Sequence, residues 1–197
     1  MWNKLKNLFA GKESPSSPSP DDFSLGENSN SLEDPCIKFV KGFQSFGGNF
    51  VYCENKEEMH HALQNIVGLE KIDSFICFDP LLSKDLESLN IPFCQKISPL
   101  VRFNFITCES LIVKDGSILI SSDQTSGFKA SELPTHYVVL AKPSQLIDSL
   151  SDALTLIKRN KQNQLPTNIT TLIGSDKYAM SSSQLKRTLY LLLLEED

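Results

Sequence analysis

The turn at residues 114–117 combines residue types that could bind a small polar ligand. Lys114 offers a cation, Asp115 a hydrogen-bond acceptor and Ser117 a hydroxyl, while Gly116 permits positive φ. We therefore expect these four residues to contribute to a ligand site. The alternative is a simple hairpin turn, because Asp-Gly is among the strongest short-range hairpin signals.

A second polar loop follows a predicted strand at residues 168–173. Backbone N–H groups at Gly174, together with Ser175 and Lys177, could meet an anion. Neither a Walker sequence nor GxGxxG is present, so a solvated connection is the alternative. The hydroxyl-rich loop at residues 121–127 ranks third. Open α/β folds bind ligands beyond the carboxyl ends of their strands, so we expect the turns at 114–117 and 174–177 to share that rim.

Solitary titratable residues provide weaker signals than these loops. Glu109 is the strongest single carboxylate, but the sequence indicates no partner for it. His60 and His61 are adjacent, so on a helix they point about 100° apart and cannot form a close metal-binding pair. His136 begins a predicted strand with no Ser or Cys nucleophile motif. We assign no catalytic residue and no metal ligand, and enzymatic activity stays open.

Length, composition and charge limit the classes of protein to which this chain can belong. The chain has 197 residues, 40% of them hydrophobic, which suits one globular domain. A net charge of -5 argues against a nucleic-acid partner. No apolar run approaches the roughly 18 residues of a membrane-spanning helix. Five widely spaced cysteines without a CxxC pair indicate reduced thiols and a cytoplasmic protein.

Residues 1–36 differ in composition from the rest of the chain. Residues 1–10 predict a short amphipathic helix, because Trp2, Leu5, Leu8 and Phe9 share one face; residues 2–9 could bind a protein partner or a membrane surface, or dock on the chain itself. Residues 11–36 are rich in Ser and Pro and predict a disordered linker. We assign residues 37–197 to one α/β domain.

Alternation of apolar strands and amphipathic helices predicts the architecture of that domain. Asn55 with Glu58, and Asp79 with Pro80, are helix-start signals after predicted strands at 49–53 and 74–78. A third helix is predicted over 146–157, with Pro143 near its start and Lys158, Arg159 and Lys161 at its end. Further strands are predicted at 102–107, 116–121, 136–140, 168–173 and 189–194. This order indicates a three-layer α/β fold with a mostly parallel sheet flanked by helices.

Two segments in this order carry a family resemblance. The first comprises Ile106, Thr107, Cys108 and Glu109, an apolar stretch at 111–113, and the turn at 114–117. The second comprises residues 133–139, the predicted helix at 146–157, and residues 173–175. With these segments the chain, from about Gly47 onward, resembles the LUD-domain family, named for lactate utilisation, and its smaller C-type proteins. Lys114 and Asp115 stand where that family usually has an acidic residue and Thr, so a ligand held by that acid would be held differently here.

The resemblance implies both a fold and a function. The implied fold is like that of ribose-phosphate isomerases, glucosamine-phosphate deaminases and coenzyme A transferases. The implied function is an accessory or regulatory subunit in the oxidation of lactate to pyruvate, with Thr107 and Glu109 joining the ligand-binding residues. No cofactor is expected on this chain, so iron–sulphur oxidoreductase subunits, or subunits carrying flavin, would be its partners. The alternative is an independent enzyme or sensor for a phosphorylated or carboxylated metabolite.

Overall fold

Parallel strands form the central sheet of the computed structural model, which describes residues 34–162, 164–174 and 187–195. Its six strands are β1 (Asn49–Cys53), β2 (Phe75–Ile76), β3 (Phe93–Cys94), β4 (Phe103–Thr107), β7 (His136–Ala141) and β10 (Leu189–Leu194). They lie in the order β1-β10-β7-β4-β2-β3, and each neighbouring pair is parallel. The predicted mostly parallel sheet is confirmed.

A second, smaller sheet lies beside the first and was not predicted. Its strands are β5 (Ser110–Ile112), β6 (Ser117–Ser121), β8 (Leu146–Ile147) and β9 (Ile169–Leu172), in the order β8-β5-β6-β9. β6 is antiparallel to both β5 and β9. The chain therefore leaves the central sheet after β4, makes a hairpin, and returns before it forms β7.

Two of the described helices begin at the capping residues that the sequence signals indicate. The described helices are α1 (Pro35–Ser45), α2 (Lys56–Glu70), α3 (Pro80–Ser88) and α4 (Leu150–Asn160). Asn55 caps α2 by accepting a hydrogen bond from the Glu58 N–H at 2.9 Å. Asp79 caps α3 by accepting from the Leu81 and Leu82 N–H groups. These two local predictions are confirmed residue by residue.

Both faces of the central sheet are buried, and alternate residues of each strand enter different cores. On one face, α2 and α3 pack against residues that include Phe103, Phe105 and Val138. On the other, α1 and one face of the small sheet pack against Ile106 and Val139. α4 covers the outer face of the small sheet. The three-layer α/β architecture is confirmed, with α1 and the small sheet sharing the third layer.

Two helix predictions need correction. The predicted helix at 146–157 is wrong at its start, because residues 143–145 form a 3₁₀ turn and β8 follows before α4 begins at Leu150. Ser149 supplies the α4 cap by accepting from the Asp152 N–H. α1 was not predicted, and it begins at Pro35, inside the segment assigned to the linker. The predicted helix at residues 1–10 lies outside the described residues.

Candidate functional site

The carboxyl ends of β2 and β4 meet at a reversal in the strand order. β2 and β4 are neighbours, but the chain leaves β2 toward β3 at the sheet edge and leaves β4 toward β7 on the opposite side. Open α/β folds place their ligands at such a switch point, outside the carboxyl ends of the strands. Phe78 follows β2 here, while Thr107 ends β4. This edge is therefore where the topology itself predicts a site.

Glu109 lies two residues beyond β4 and is the centre of a polar cluster at this edge. Its Oε1 accepts hydrogen bonds from Ser121 Oγ at 2.6 Å, Gln124 Nε2 at 3.1 Å and Lys161 Nζ at 2.5 Å. Asp123 binds the same ammonium through Oδ2 at 2.6 Å. We call these five residues the Glu109 cluster. The cluster joins the end of β4, the end of β6 and the end of α4.

The contacts of Glu109 favour its ionised form. Burial opposes ionisation of this carboxyl, but hydrogen bonds from Lys161, Ser121 and Gln124, with the Lys161 charge, outweigh it and lower the pKa. For Lys161, burial lowers the pKa, while hydrogen bonds to Asp123 and Glu109 outweigh burial and raise it. Both residues are therefore charged at neutral pH. A carboxylate held this way is suited to positioning and binding rather than to donating a proton.

The two carboxylates that share Lys161 differ in exposure. The Glu109 side chain is 11% exposed, whereas the Asp123 side chain is 48% exposed. Asp123 and Lys161 face an open depression of about 660 Å³, which is also lined by Arg159, Asn160, Gln162 and Gln164. The inner carboxylate is thus part of the fold, while the outer one lies where solvent or a ligand can reach it.

An aromatic contact holds the loop that follows Ser121. Phe128 stacks on Phe78 with ring centroids 5.6 Å apart, which ties the loop to the carboxyl end of β2. Within the loop, Gly127 N–H donates to the Ser122 carbonyl at 2.8 Å, and Gly127 adopts a φ of 86°. The loop at 121–128 therefore extends from the Glu109 cluster to the β2 end of the switch point. Sequence reasoning ranked this loop third.

The first-ranked turn lies at the tip of the β5–β6 hairpin. Ser117 N–H and Oγ both donate to Asp115 Oδ1, and Lys114 N–H donates to the Asp148 carbonyl at 3.0 Å. Gly116 has a φ of 67°, and a Cβ there would lie 2.3 Å from the backbone nitrogen of Phe43 in α1. Gly116 is therefore needed for close packing against α1. This geometry is that of the simple hairpin turn, which was the alternative to a ligand site.

Gly174 lies at the same end of the small sheet as Gly116. β6 and β9 are antiparallel with Ile118 opposite Leu172, so the start of β6 adjoins the end of β9. A Cβ on Gly174 would lie 2.4 Å from the Phe46 carbonyl oxygen, in the turn just before β1. The predicted partners Ser175 and Lys177 lie outside the described residues.

The candidate residues thus separate into two groups. Thr107 and Glu109 lie at the carboxyl end of β4, as expected. The turn at 114–117 and Gly174 share one end of the small sheet, but that end packs against α1 and the turn before β1, at the amino end of that strand. The turn at 114–117 and Gly174 therefore lie at a common end, as expected, but that end is at the amino end of β1 and not at the carboxyl edge of the central sheet, where it was predicted. Sequence reasoning missed Lys161 as the partner of Glu109 and interpreted its charge only as favourable at the end of a helix.

Histidines and cysteines have structural contacts elsewhere. His60 Nε2 lies 3.2 Å from Asp85 Oδ1, between α2 and α3. His136 Nδ1 accepts from the Thr188 N–H at 3.0 Å. Burial raises the pKa of the Cys36 and Cys53 thiols to about 12. Within the described ranges, no three His, Cys, Asp or Glu side chains are grouped to hold a metal ion.

The architecture and the switch point define an open α/β protein with a polar site at the carboxyl edge of its sheet. The family model described as LUD domain matches residues 36–192, so the chain belongs to the LUD-domain family. No curated protein matches the chain. A similar solved structure is the crystal structure of a DUF162 family protein from Deinococcus radiodurans, at 1.70 Å resolution. It has a TM-score of 0.61 and 12% identity, over 81% of this chain and 96% of that chain. The predictions of a three-layer α/β fold and of membership of the LUD-domain family are confirmed.

None of the helices within residues 34–162, 164–174 and 187–195 is both long and apolar enough to cross a bilayer.

Proposed function

We propose that this LUD-domain protein is an accessory or regulatory subunit in the oxidation of lactate to pyruvate. The observation that carries the proposal is the family match over residues 36–192, in a family named for lactate utilisation. The proposal places the protein in the cytoplasm, which fits the free thiols at its described cysteines.

The chemistry of the reaction supports a role beside redox partners. Oxidation of lactate to pyruvate removes two electrons, and cofactors such as flavins or iron–sulphur clusters accept electrons where side chains do not. Cysteines of this chain do not fit a cluster, because Cys36 and Cys108 lie in one core while Cys53 and Cys77 lie in another. Burial also raises the pKa of these four thiols. The proposal therefore assigns the redox group to partner subunits.

The state of Glu109 supports binding rather than proton transfer by this subunit. Glu109 is ionised, and three donors converge on one of its oxygens. A general acid would need a raised pKa, whereas that of Glu109 is lowered. The cluster is better suited to orienting a loop or a ligand.

Deletion of the gene tests this proposal directly. The deletion strain should grow poorly with lactate as carbon source and normally with pyruvate, and the intact gene should restore growth. A tagged full-length chain should copurify with iron–sulphur or flavin proteins from lactate-grown cells. Normal lactate oxidation in the deletion strain would contradict the proposal.

A second function has support from the position of the Glu109 cluster. An independent enzyme or sensor would use the switch point at β2 and β4 to bind a phosphorylated or carboxylated metabolite. A thermal-shift screen of sugar phosphates, organic acids and acyl-coenzyme A compounds should then reveal a saturable ligand. Binding lost in Lys161→Met and kept in Lys114→Met would locate it at the cluster. No shift across the screen would exclude this second function.

A further inference from the structure

We propose that the depression beside Lys161 binds the carboxylate of a small organic acid, which takes the place of Asp123 on the Lys161 ammonium. The inference rests on the proposed function for its choice of probes, because lactate and pyruvate are small carboxylates. Its structural basis is independent of that choice and consists of the ion pairs of Lys161 and the position of Arg159 beside them in the same depression.

The Asp123 carboxylate binds the Lys161 ammonium on its solvent-facing side. Its Oδ2 lies 2.6 Å from Lys161 Nζ, the separation of a charge-assisted hydrogen bond. Because its side chain is 48% exposed, water can replace the contact at small cost, as for other exposed ion pairs. A ligand carboxylate can therefore replace it with the same geometry.

Glu109 keeps the ammonium in place during such an exchange. This inner carboxylate is 11% exposed and lies 2.5 Å from Nζ, and Ser121 and Gln124 hold the same oxygen. Glu109 thus holds the Lys161 ammonium on its buried side, while the Asp123 contact on the exposed side can exchange. The site is already organised before a ligand arrives, which reduces the entropy cost of binding.

The charges around the depression favour a singly charged acid. Arg159 and Lys161 both line it and supply two cations, and a guanidinium is well shaped for a carboxylate. Both residues lie at the carboxyl end of α4, where the helix dipole is negative, and Glu109 adds a negative charge nearby. Because Glu109 balances one of the two cations, displacement of Asp123 leaves about one positive charge for the ligand, which matches a monoanionic carboxylate better than a doubly charged phosphate.

Competition by Asp123 can be tested by titration calorimetry of the full-length protein. The probes are sodium L-lactate, pyruvate and acetate, with inorganic phosphate and chloride at matched ionic strength as comparisons. The wild-type protein should bind at least one of the carboxylates at millimolar concentrations. Asp123→Asn should bind it about fivefold more tightly, because the internal competitor loses its charge.

Variants of α4 show whether binding occurs at Lys161. Lys161→Met should abolish binding, while Lys158→Met, an exposed position on the same helix, should leave it unchanged. Circular dichroism of each variant confirms that it is folded. Three results would overturn the inference: no carboxylate binding in either wild type or Asp123→Asn, unchanged or weaker binding in Asp123→Asn, or binding of phosphate alone. None of these results depends on growth on lactate, so this inference and the proposed function can fail separately.

Discussion

The Glu109 cluster makes a quantitative prediction about stability. Glu109, Ser121 and Lys161 lie at the ends of β4, β6 and α4 and are joined by hydrogen bonds. Removing the charge of either Glu109 or Lys161 should therefore weaken the junction of these three elements. We propose a double-mutant cycle with Glu109→Gln and Lys161→Met. Glutamine preserves the shape of Glu109, and methionine preserves most of the apolar stem of Lys161, so the cycle isolates the charge interaction.

The expected size follows from the exposure of the two side chains. Breaking a fully buried ion pair costs roughly 3–5 kcal/mol, and an exposed pair is worth about 0–1 kcal/mol. With 11% and 28% of their side chains exposed, Glu109 and Lys161 lie between these limits. We expect Glu109→Gln to lower the free energy of unfolding by about 2 kcal/mol, with a coupling energy of about 1–2 kcal/mol. Asp123→Asn should cost less than about 1 kcal/mol, because Asp123 is more exposed.

Urea unfolding followed by circular dichroism at neutral pH measures these free energies. Lys158→Met is the control, since it removes a charge from the exposed side of the same helix. A coupling energy below about 0.5 kcal/mol would refute the interpretation, because the effects of mutations at sites that do not interact deviate from additivity by no more than about that amount. An Asp123→Asn effect as large as that of Glu109→Gln would also refute the ranking of the two carboxylates.

The pH dependence of this stabilisation has a defined sign. Because folding lowers the pKa of Glu109, its contribution is complete above the ordinary value of 4.5 and is lost as pH falls through the folded-state pKa. Because folding raises the pKa of Lys161, its contribution is complete below 10.5 and is lost as pH rises through the folded-state pKa. The difference between wild type and Glu109→Gln should therefore be constant near neutrality and shrink in acid.

Three further predictions concern stability outside the cluster. Gly116→Ala should cost at least about 3 kcal/mol, because it adds positive-φ strain and a backbone clash, whereas Gly127→Ala, with a φ of 86° and open space, should cost only about 1–2 kcal/mol in the same urea assay. Asn104→Leu should cost about 1–3 kcal/mol by calorimetry, since the buried amide donates to the Pro134 and His136 carbonyls. Burial and Arg102 lower the pKa of His136, so the stability that the neutral imidazole contributes should be lost as pH falls below 6.5 through the folded-state pKa. A His136→Asn variant whose free energy of unfolding depends on pH in the same way as that of the wild type would contradict this.

Local signals explain which elements could be predicted from the sequence. Asn55 and Asp79 cap helices because a short polar side chain followed by an amphipathic segment satisfies the first N–H groups whatever the tertiary context. α1 has the same Asp-Pro start, at Asp34 and Pro35, and was missed because the preceding Ser- and Pro-rich composition was extended too far. At 146–157, apolar spacing alone could not separate the short strand β8 from the helix, although Ser149 and Asp152 mark its true start.

The Glu109 cluster depends on contacts that local signals do not contain. Lys161 is 52 residues from Glu109 and 38 residues from Asp123 along the chain. Their meeting requires that α4 packs on the outer face of the small sheet and that this sheet lies beside β4. Neither condition follows from the amphipathic pattern of α4, which requires an apolar surface to cover but does not identify which one.

The hairpin explains why the turn at 114–117 lies away from the carboxyl edge of the central sheet. After β4 reaches the carboxyl edge, β5 carries the chain away from Glu109 and antiparallel β6 carries it back, so that Ser121 returns to the edge. The tip of a hairpin is the point farthest from its base, and residues 114–117 occupy that tip. The polar Asp-Gly turn therefore lies at the end remote from the Glu109 cluster, whereas Glu109 and Ser121, at the base, are held together by the strand pairing.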